Sequence, residues 1–267
     1  LGHVNKAVLR ALLVVLVFAL LVSVAGCKKT DLGVIKQRGK MIVGTSADYP
    51  PMEYVVDGKF EGFDMDLIRE IGKRMGVQVE IQDMAFDTLI AALKQGKVDV
   101  VIAAMSASEE RRAQADFSDV YHESIHGFII KAGSAVELST GEDTGAYKTG
   151  VQTGTTHEAY VMDLVAAGKM EEKNIYRYEK ADIAVLDVAA GRIDVYIADL
   201  PVAKSFIKTI EGLEIGLEFN VTPEEGGERI AVRKDSKELL DEVNKHLRAM
   251  IQEGFIETLE EKHLSEV

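Results

Sequence analysis

Gly96-Lys97-Val98-Asp99-Val100-Val101-Ile102-Ala103 and Gly191-Arg192-Ile193-Asp194-Val195-Tyr196-Ile197-Ala198 follow one pattern: a glycine, a cation, a β-branched residue, an aspartate and an apolar run. Each copy follows a segment with apolar residues at helical spacing, Leu89, Ile90 and Leu93 before the first and Ile183, Val185 and Val188 before the second. A glycine after such a segment ends a helix, and a short apolar run then reads as a buried strand. The repeat predicts two lobes built on the same helix–strand unit, although helix–glycine–strand is common enough in α/β proteins to arise by chance. In open α/β sheets ligands sit beyond the carboxyl ends of the strands. The residues just after each copy, Ala104 to Arg111 and Asp199, are therefore the first candidates for a site.

Outward from the repeat, the same alternation continues. Met41 to Thr45 reads as a strand. Residues 64–75 read as a helix with Met65, Ile68, Ile71 and Met75 on one face, stopped by Gly76. Val77 to Ile81 alternates like a strand, Phe86 to Gln95 reads as a helix ended by Gly96, and Val98 to Ala103 as a buried strand. The pattern recurs after residue 148. Strands alternating with helices imply α/β units with a parallel sheet.

Composition narrows the function classes. The chain has 267 residues, 47% hydrophobic and 28% charged, enough to bury a core. It carries 31 basic and 44 acidic residues, a net charge of −13, without a basic cluster, which argues against nucleic-acid binding. A single cysteine leaves no intramolecular disulfide and no cysteine-built metal site. The six histidines lack zinc-enzyme spacing. No cofactor and no metal is expected.

The first 26 residues have the three-part layout of an export signal: Lys6 and Arg10, an apolar run from Ala11 to Leu21, then small residues, with no acid among them. The run ends Val24-Ala25-Gly26-Cys27, small residues before a lone cysteine, as in a bacterial lipobox. Cys27 would then carry lipid and begin the mature chain, with 27–30 as a linker to the anchor. The other reading is a transmembrane anchor, for which the apolar run is short of the ~20 residues a span needs. Both place the folded part outside the cytoplasm.

Several residues could carry chemistry. Ser106 or Ser108 can cap a helix whose positive end suits Glu109 and Glu110. Arg111 follows; a guanidinium can grip a carboxylate with two parallel hydrogen bonds, or it could be a solvated charge or a partner of Asp116. Gly154-Thr155-Thr156 is a turn into a helix, able to offer amides to an anion or to serve as an ordinary N-cap. Asp199 either caps the helix that Pro201 begins or faces a ligand cation. Tyr49, in the stiff loop with Pro50 and Pro51, and Phe86 are packing residues or flat walls for a ligand. Together an anion clamp (Arg111, the Thr156 amide) and an amine acceptor (Asp199) suit a zwitterion, since each buried charge needs a partner.

Gly44-Thr45-Ser46-Ala47-Asp48-Tyr49-Pro50-Pro51-Met52-Glu53-Tyr54, Gly62-Phe63-Asp64-Met65-Asp66-Leu67, Ala85-Phe86-Asp87-Thr88-Leu89-Ile90 and Asp116-Phe117-Ser118-Asp119-Val120-Tyr121 resemble polar amino-acid-binding proteins of ABC importers. These are solute-binding proteins of family 3 with the type II periplasmic-binding fold; the likeness is to the arginine/glutamine-type lipoproteins and covers nearly all of residues 31–264. The resemblance implies an α/β molecule of two lobes, 31–123 with 230–267 and 124–229, joined by two crossings at or beside 125–130 and 229–232 and closing on the ligand like a hinge. It implies the carboxylate-binding arginine at Arg111, the amine-binding acid at Asp199, an assisting hydroxyl at Ser106, an amine-binding carbonyl at Ala104, the second-lobe amide at Thr156, and aromatic walls at Tyr49 and Phe86. Met105, Gln152 and His157 would line the side-chain pocket. Ala103 and Ala104 replace the serines common in the family. Ser46 stands where members selective for lysine, ornithine or histidine often have aspartate. With Asp48, Glu53 and Asp87 near it, the pocket permits a cationic or amide side chain, arginine or another basic amino acid first and glutamine next.

The implied function is an extracytoplasmic, lipid-anchored, monomeric substrate-binding component. It would capture a free L-amino acid and deliver it to a membrane permease, without enzymatic turnover. Two alternatives share the scaffold: a cyclohexadienyl dehydratase-like enzyme, with Asp199 or Glu53 as the pocket acid, and a ligand-sensing module.

Overall fold

The computed structural model describes residues 31–265 apart from 124 and 222–225. The leader, Cys27 and the linker 27–30 lie outside the described residues. Two five-stranded sheets carry the architecture. The first contains β1 (Lys40–Thr45), β5 (Gln78–Asp83), β6 (Val100–Val101), β7 (Ala115–Phe117) and β13 (Ala231–Arg233), in spatial order β5-β1-β6-β13-β7. The second contains β8 (His126–Lys131), β9 (Thr149–Gln152), β10 (Ile175–Tyr178), β11 (Val195–Asp199) and β12 (Leu213–Phe219), in order β10-β9-β11-β8-β12. A small antiparallel sheet of β2 (Asp48–Tyr49), β3 (Glu53–Val56) and β4 (Lys59–Glu61) follows β1.

The repeat seen in the sequence occupies matching places. Strand β6 runs parallel to β1 on one side and antiparallel to β13 on the other; β11 runs parallel to β9 and antiparallel to β8. Each is preceded by its helix, α3 (Leu89–Lys94) or α6 (Ala181–Ala189), and a glycine with positive φ, Gly96 or Gly191. The same connection therefore aims the carboxyl ends of β6 and β11 outward in both halves. The other helices are α1 (Asp31–Arg38), α2 (Phe63–Met75), α4 (Glu109–Gln114), α5 (Thr156–Ala166), α7 (Leu200–Thr209), α8 (Lys237–Gln252) and α9 (Phe255–His263).

Local chemistry accounts for the boundaries. In α2, Met65, Ile68, Ile71 and Met75 are all buried, and Gly76 at φ 71° closes the helix by donating to the Gly72 and Lys73 carbonyls. In α8, Leu239, Val243, Leu247 and Met250 form the buried stripe, each worth about 1.5–3 kcal/mol relative to exposure. Two expected elements are shorter than their patterns. The run Val98 to Ala103 is buried throughout but pairs as a ladder only at Val100–Val101. Asp99 N still donates to the Ile42 carbonyl (2.8 Å) and Ile102 N to that of Gly44 (3.1 Å). The chain then leaves the sheet at Ala104, whose φ of 43° turns it towards the cleft. The helix expected from Phe86 opens as a 3₁₀ turn, Phe86–Thr88, with Thr88 Oγ1 bonded back to the Ala85 carbonyl at 2.7 Å.

Two segments pass between the sheets, one from β7 to β8 and one from β12 to β13. They are zipped together: Ser118 N donates to the Ile230 carbonyl, Tyr121 N to that of Glu228, and Glu228 N to that of His122, all at 2.8–3.0 Å. At the same point His122 Nδ1 lies 3.3 Å from Glu228 Oε1, and both side chains are buried. Burial alone would lower the His122 imidazole, but the Glu228 carboxylate overrides it and holds the ring up at about 9. Burial pushes Glu228 up to about 7 against the pull of His122. Both groups thus bind protons more tightly when folded than their ordinary 6.5 and 4.5 allow. The stability they contribute is complete below those ordinary values and is lost as pH rises through about 7 for Glu228 and about 9 for His122. The melting temperature should therefore fall between pH 5 and about pH 9, and the double variant H122Q/E228Q should show a flatter profile. Parallel pH profiles for the two proteins would refute the assignment.

Candidate functional site

The carboxyl ends of β1 and β6 in one half and of β9 and β11 in the other meet at a narrow cleft. Of the residues singled out from sequence, Ser46, Tyr49, Phe86, Ala104, Ser106, Arg111, Gln152, Thr156, His157 and Asp199 all line it. Met105 does not. It is buried and lines a neighbouring cavity on the far side of Arg111 and Phe86, because the turn at Ala104 sends the next side chain away from the cleft. Glu53, Ala103 and Thr155 join the lining.

Arg111 is placed by helix α4. Ser108 is the residue that caps it, its Oγ accepting from Arg111 N at 3.3 Å. The Arg111 side chain is buried: Nη1 donates to the Ser106 carbonyl at 2.6 Å, Nη2 crosses to the Gly154 carbonyl of the other half at 2.8 Å, and the guanidinium lies 5.1 Å from the Phe86 ring centroid. Phe86 is thus both a wall and a cation–π support. Asp116 is engaged by Lys234 Nζ at 2.7 Å.

Asp199 stands at the end of β11 and before α7, with Pro201 in the first turn, yet its carboxylate makes no cap bond. Tyr49, from the opposite half, reaches it twice: its OH donates to Asp199 Oδ2 at 2.9 Å and accepts from Asp199 N at 2.9 Å. Burial pushes the Asp199 carboxyl up, opposed by His126 and the Tyr49 hydrogen bond.

Two histidines surround the other oxygen. His126 Nε2 lies 3.6 Å and His157 Nε2 4.0 Å from Asp199 Oδ1, and their rings meet edge to face at 4.8 Å. Sequence reasoning did not single out His126, a core strand residue whose role depends on the register Asp199↔His126 between β11 and β8. Burial lowers both imidazoles, His157 further because His126 and Arg111 add repulsion. His126, His157 and Asp199 present three ligand-capable atoms within 4.8 Å of one another. However, Val221 N donates to His126 Nδ1 at 3.1 Å, which keeps the lone pair there and the hydrogen on Nε2, towards Asp199. A metal at Nε2 would have to reverse that tautomer. The arrangement orients Asp199 as an acceptor facing the cleft.

Thr156 begins α5, and Thr155 caps it: its Oγ1 accepts from Glu158 N at 3.2 Å and donates to the Gln152 carbonyl at 2.6 Å. The N-terminal end of an eleven-residue helix, positive by its dipole, faces the cleft beside Arg111. The deep end is acidic. Asp48 accepts from Ser46 Oγ (2.8 Å), Gln152 Nε2 (3.2 Å) and Ala181 N (2.6 Å), and so ties β2 to the second half. Glu53 and Asp64 are both buried, and neither Glu53 Oε2 nor Asp64 Oδ1 has a hydrogen-bond partner among the described residues. Asp64 Oδ2 accepts from Ala104 N (2.7 Å) and Tyr121 OH (3.0 Å). Burial pushes Asp64 up to about 6 and, with the charges of Asp64, Glu228 and Asp48, raises Glu53 well above the usual carboxylate range.

Residues 41–266 match the family described as bacterial extracellular solute-binding proteins, family 3. The chain is 34% identical to the arginine-binding extracellular protein ArtP of Bacillus subtilis, over 90% of this chain and 92% of that one. Among solved structures, a mutant of ArgBP from T. maritima superposes with a TM-score of 0.80 at 34% identity, covering 88% of this chain and 99% of that one. An ancestral arginine-binding protein bound to glutamine superposes with a TM-score of 0.76 at 38% identity, covering 85% and 98%. The chain belongs to this family, and its fold is that of the type II periplasmic binding proteins.

The contact between the halves makes Gly154 a sharp test. Its φ is +77°, and a Cβ there would sit 2.7 Å from Asp87 Cβ and 2.9 Å from Asp87 Cα across the cleft. Neither atom is the end of a flexible side chain, so Gly154→Ala should hold the halves apart at this point. Small-angle scattering should show a more extended particle than the parent, and unchanged scattering would refute the contact.

Proposed function

We propose that the protein captures a free L-amino acid with a cationic side chain, arginine first, between the two halves and delivers it to the membrane permease of an ABC importer. One observation carries this reading: a buried guanidinium, Arg111, and a half-buried carboxylate, Asp199, line one cleft from opposite halves. An α-amino acid needs both, one for its carboxylate and one for its ammonium group. Arg111 with the α5 N-terminus would take the carboxylate. Asp199, held by Tyr49 and flanked by His126 and His157, would take the ammonium group with the Ala104 carbonyl and Ser106. Tyr49 and Phe86 would flank the side chain, whose end meets Ser46, Gln152 and Glu53.

The two halves then act as lobes about the paired crossings. A ligand that touches both favours closure, because only the closed form makes both sets of contacts. The acidic deep end favours a cationic side chain. The names of the relatives, arginine-binding in ArtP and in the ancestral protein bound to glutamine, support arginine with glutamine as the neutral competitor.

A thermal-shift panel of arginine, lysine, ornithine, histidine, glutamine and citrulline tests this directly, since a ligand of the folded state raises the melting point. Arginine should give the largest shift; a panel without any shift would overturn the reading. Arg111→Ala should weaken arginine by at least ~2 kcal/mol, about thirtyfold, by leaving a carboxylate buried and unpaired. Calorimetry with unchanged affinity would remove the clamp.

The reading is of binding without turnover: incubation with prephenate or arogenate should yield no aromatic product, and its appearance would favour an enzyme. The anchor is read from Val24-Ala25-Gly26-Cys27. A Cys27→Ser chain should fail to incorporate labelled palmitate in cells, where the parent incorporates it; equal labelling would exclude Cys27 as the lipid site.

A further inference from the structure

The chain enters the described fold at Asp31, and its hydrogen bonds fix the place of entry. Arg233 Nε donates to Asp31 Oδ2 at 3.0 Å, and Ser236 Oγ bonds the same oxygen. Arg233 Nη1 in turn donates to the Leu93 carbonyl at 3.2 Å and to that of Val98 at 3.0 Å. Val98 lies where the chain runs into β6, and Arg233 ends β13, which is antiparallel to β6. Asp31 is therefore held at the edge of the first sheet where β6 begins. The cleft lies at the opposite edge, beyond about 17 Å of strand β1, and the second half lies across it.

Two observations give the Asp31 edge a partner. The first is length. Cys27, read above as the lipid site, is four residues from Asp31, a reach of at most about 14 Å when fully extended. That is less than the roughly 18 Å radius of gyration expected for residues 31–265. A bilayer holding a lipid on Cys27 must therefore lie close to the Asp31 edge and cannot lie against the far side of the second half. The second is charge. The chain as a whole is acidic, with a net charge of −13, yet the loop between Leu93 and Val98 presents Lys94 and Lys97, both exposed. Lys94 Nζ donates to the neutral Gln114 Oε1 at 3.0 Å, and among the described residues neither lysine pairs with an acid. Beside them Asp31 is matched by Arg233 and Asp99 by Arg38. The exposed acids of the adjoining turn, Asp235 and Glu238, each follow a lysine. Lys28 and Lys29 follow Cys27 directly in sequence.

We propose that this edge of the first half rests on anionic lipid headgroups through Lys94 and Lys97, with the second half held away from the membrane. This rests on the reading of Cys27 as the lipid site and adds to it an orientation. The first half is then the stationary one, and opening and closing of the cleft is a movement of the second half above it.

The repeat supplies a matched pair of reporters. Gln95 and Ala190 are both exposed, and each closes its helix immediately before the glycine. The full lipid-modified chain, its one cysteine taken by the lipid, is made as Gln95→Cys or Ala190→Cys, labelled with a fluorophore and placed on vesicles whose headgroups carry a nitroxide quencher. On vesicles of phosphatidylcholine and phosphatidylglycerol in equal parts, the label at 95 should be quenched far more than the label at 190. Lysines near an anionic leaflet are held to it electrostatically, so K94E/K97E should reduce that excess at least about threefold; on phosphatidylcholine alone it should make no difference. Retained arginine binding shows that the double variant is folded. Equal quenching at the two positions, stronger quenching at 190, or an excess indifferent to K94E/K97E on the anionic vesicles overturns the proposal. A chain that binds arginine but takes no lipid at Cys27 also overturns it and leaves amino-acid capture standing. The expected quenching in a chain without saturable arginine binding does the reverse, supporting the orientation and removing the ligand reading.

Discussion

A buried guanidinium, Arg111, and a half-buried carboxylate, Asp199, face one cleft from opposite halves. Arg111 holds two carbonyl oxygens and leans on an aromatic face; Asp199 is held by a tyrosine hydroxyl and faces two imidazoles. A buried charge is tolerated only with hydrogen bonds and opposite charge around it. Much of the local structure serves that requirement. The Ser106 carbonyl, the Gly154 carbonyl and the Phe86 ring bring neutral partners to the guanidinium, and the Tyr49 loop brings one to the carboxylate. The four come from separate segments, and the doubled α/β architecture delivers them to a common point. Each half ends its repeat at the cleft, one contributing the approach to the guanidinium and the other the carboxylate.

The sequence made the frame legible because the frame is local. Glycine after a helical stripe, an apolar run after the glycine, and polar residues after the run are neighbours along the chain, and their repetition anticipated matching strand positions in both sheets. The strand-end rule pointed to 104–111 and Asp199, and the family resemblance supplied Ser46, Gln152 and His157; of the residues expected to contact the ligand, Met105 alone does not line the cleft. Its position is correct in sequence, but the positive φ of Ala104 reverses the expected direction of the side chain, and nothing in the residue type announces that. The alternatives left open for Arg111 and Asp199 turned on distances no spacing supplies. Ser108, not Ser106, caps α4, and the Asp199 carboxylate caps nothing.

What stayed hidden is what tertiary folding assembles from distant segments. Asp64, His122 and Glu228 are ordinary polar residues when read singly, and all three are buried with Glu53, the one the sequence did point to. His126 likewise looks like one residue of a core strand. Only antiparallel pairing with β11 sets it against Asp199, and only the Val221 amide fixes which nitrogen faces the carboxylate. Tautomer and protonation depend on the partner of each atom, so they become readable after the chain has folded and not before.

The contacts between the halves bear on how a ligand could drive closure. Arg111 to the Gly154 carbonyl, Tyr49 to Asp199, and Asp48 to Gln152 and the Ala181 amide already join them. Two of these use the groups assigned to the ligand's α-carboxylate and α-ammonium, while the Asp48 set lies deeper. A ligand changes the equilibrium between open and closed forms only by the difference in what it gains in each. Contacts the closed form makes by itself lower the cost of closing. The same contacts compete wherever they occupy Arg111 or Asp199. The useful contacts are therefore those that survive ligand entry, and Asp48 is the strongest candidate. It links Ser46 and Gln152 beneath the cleft without drawing on either charged pole, so it can favour closure without taxing recognition.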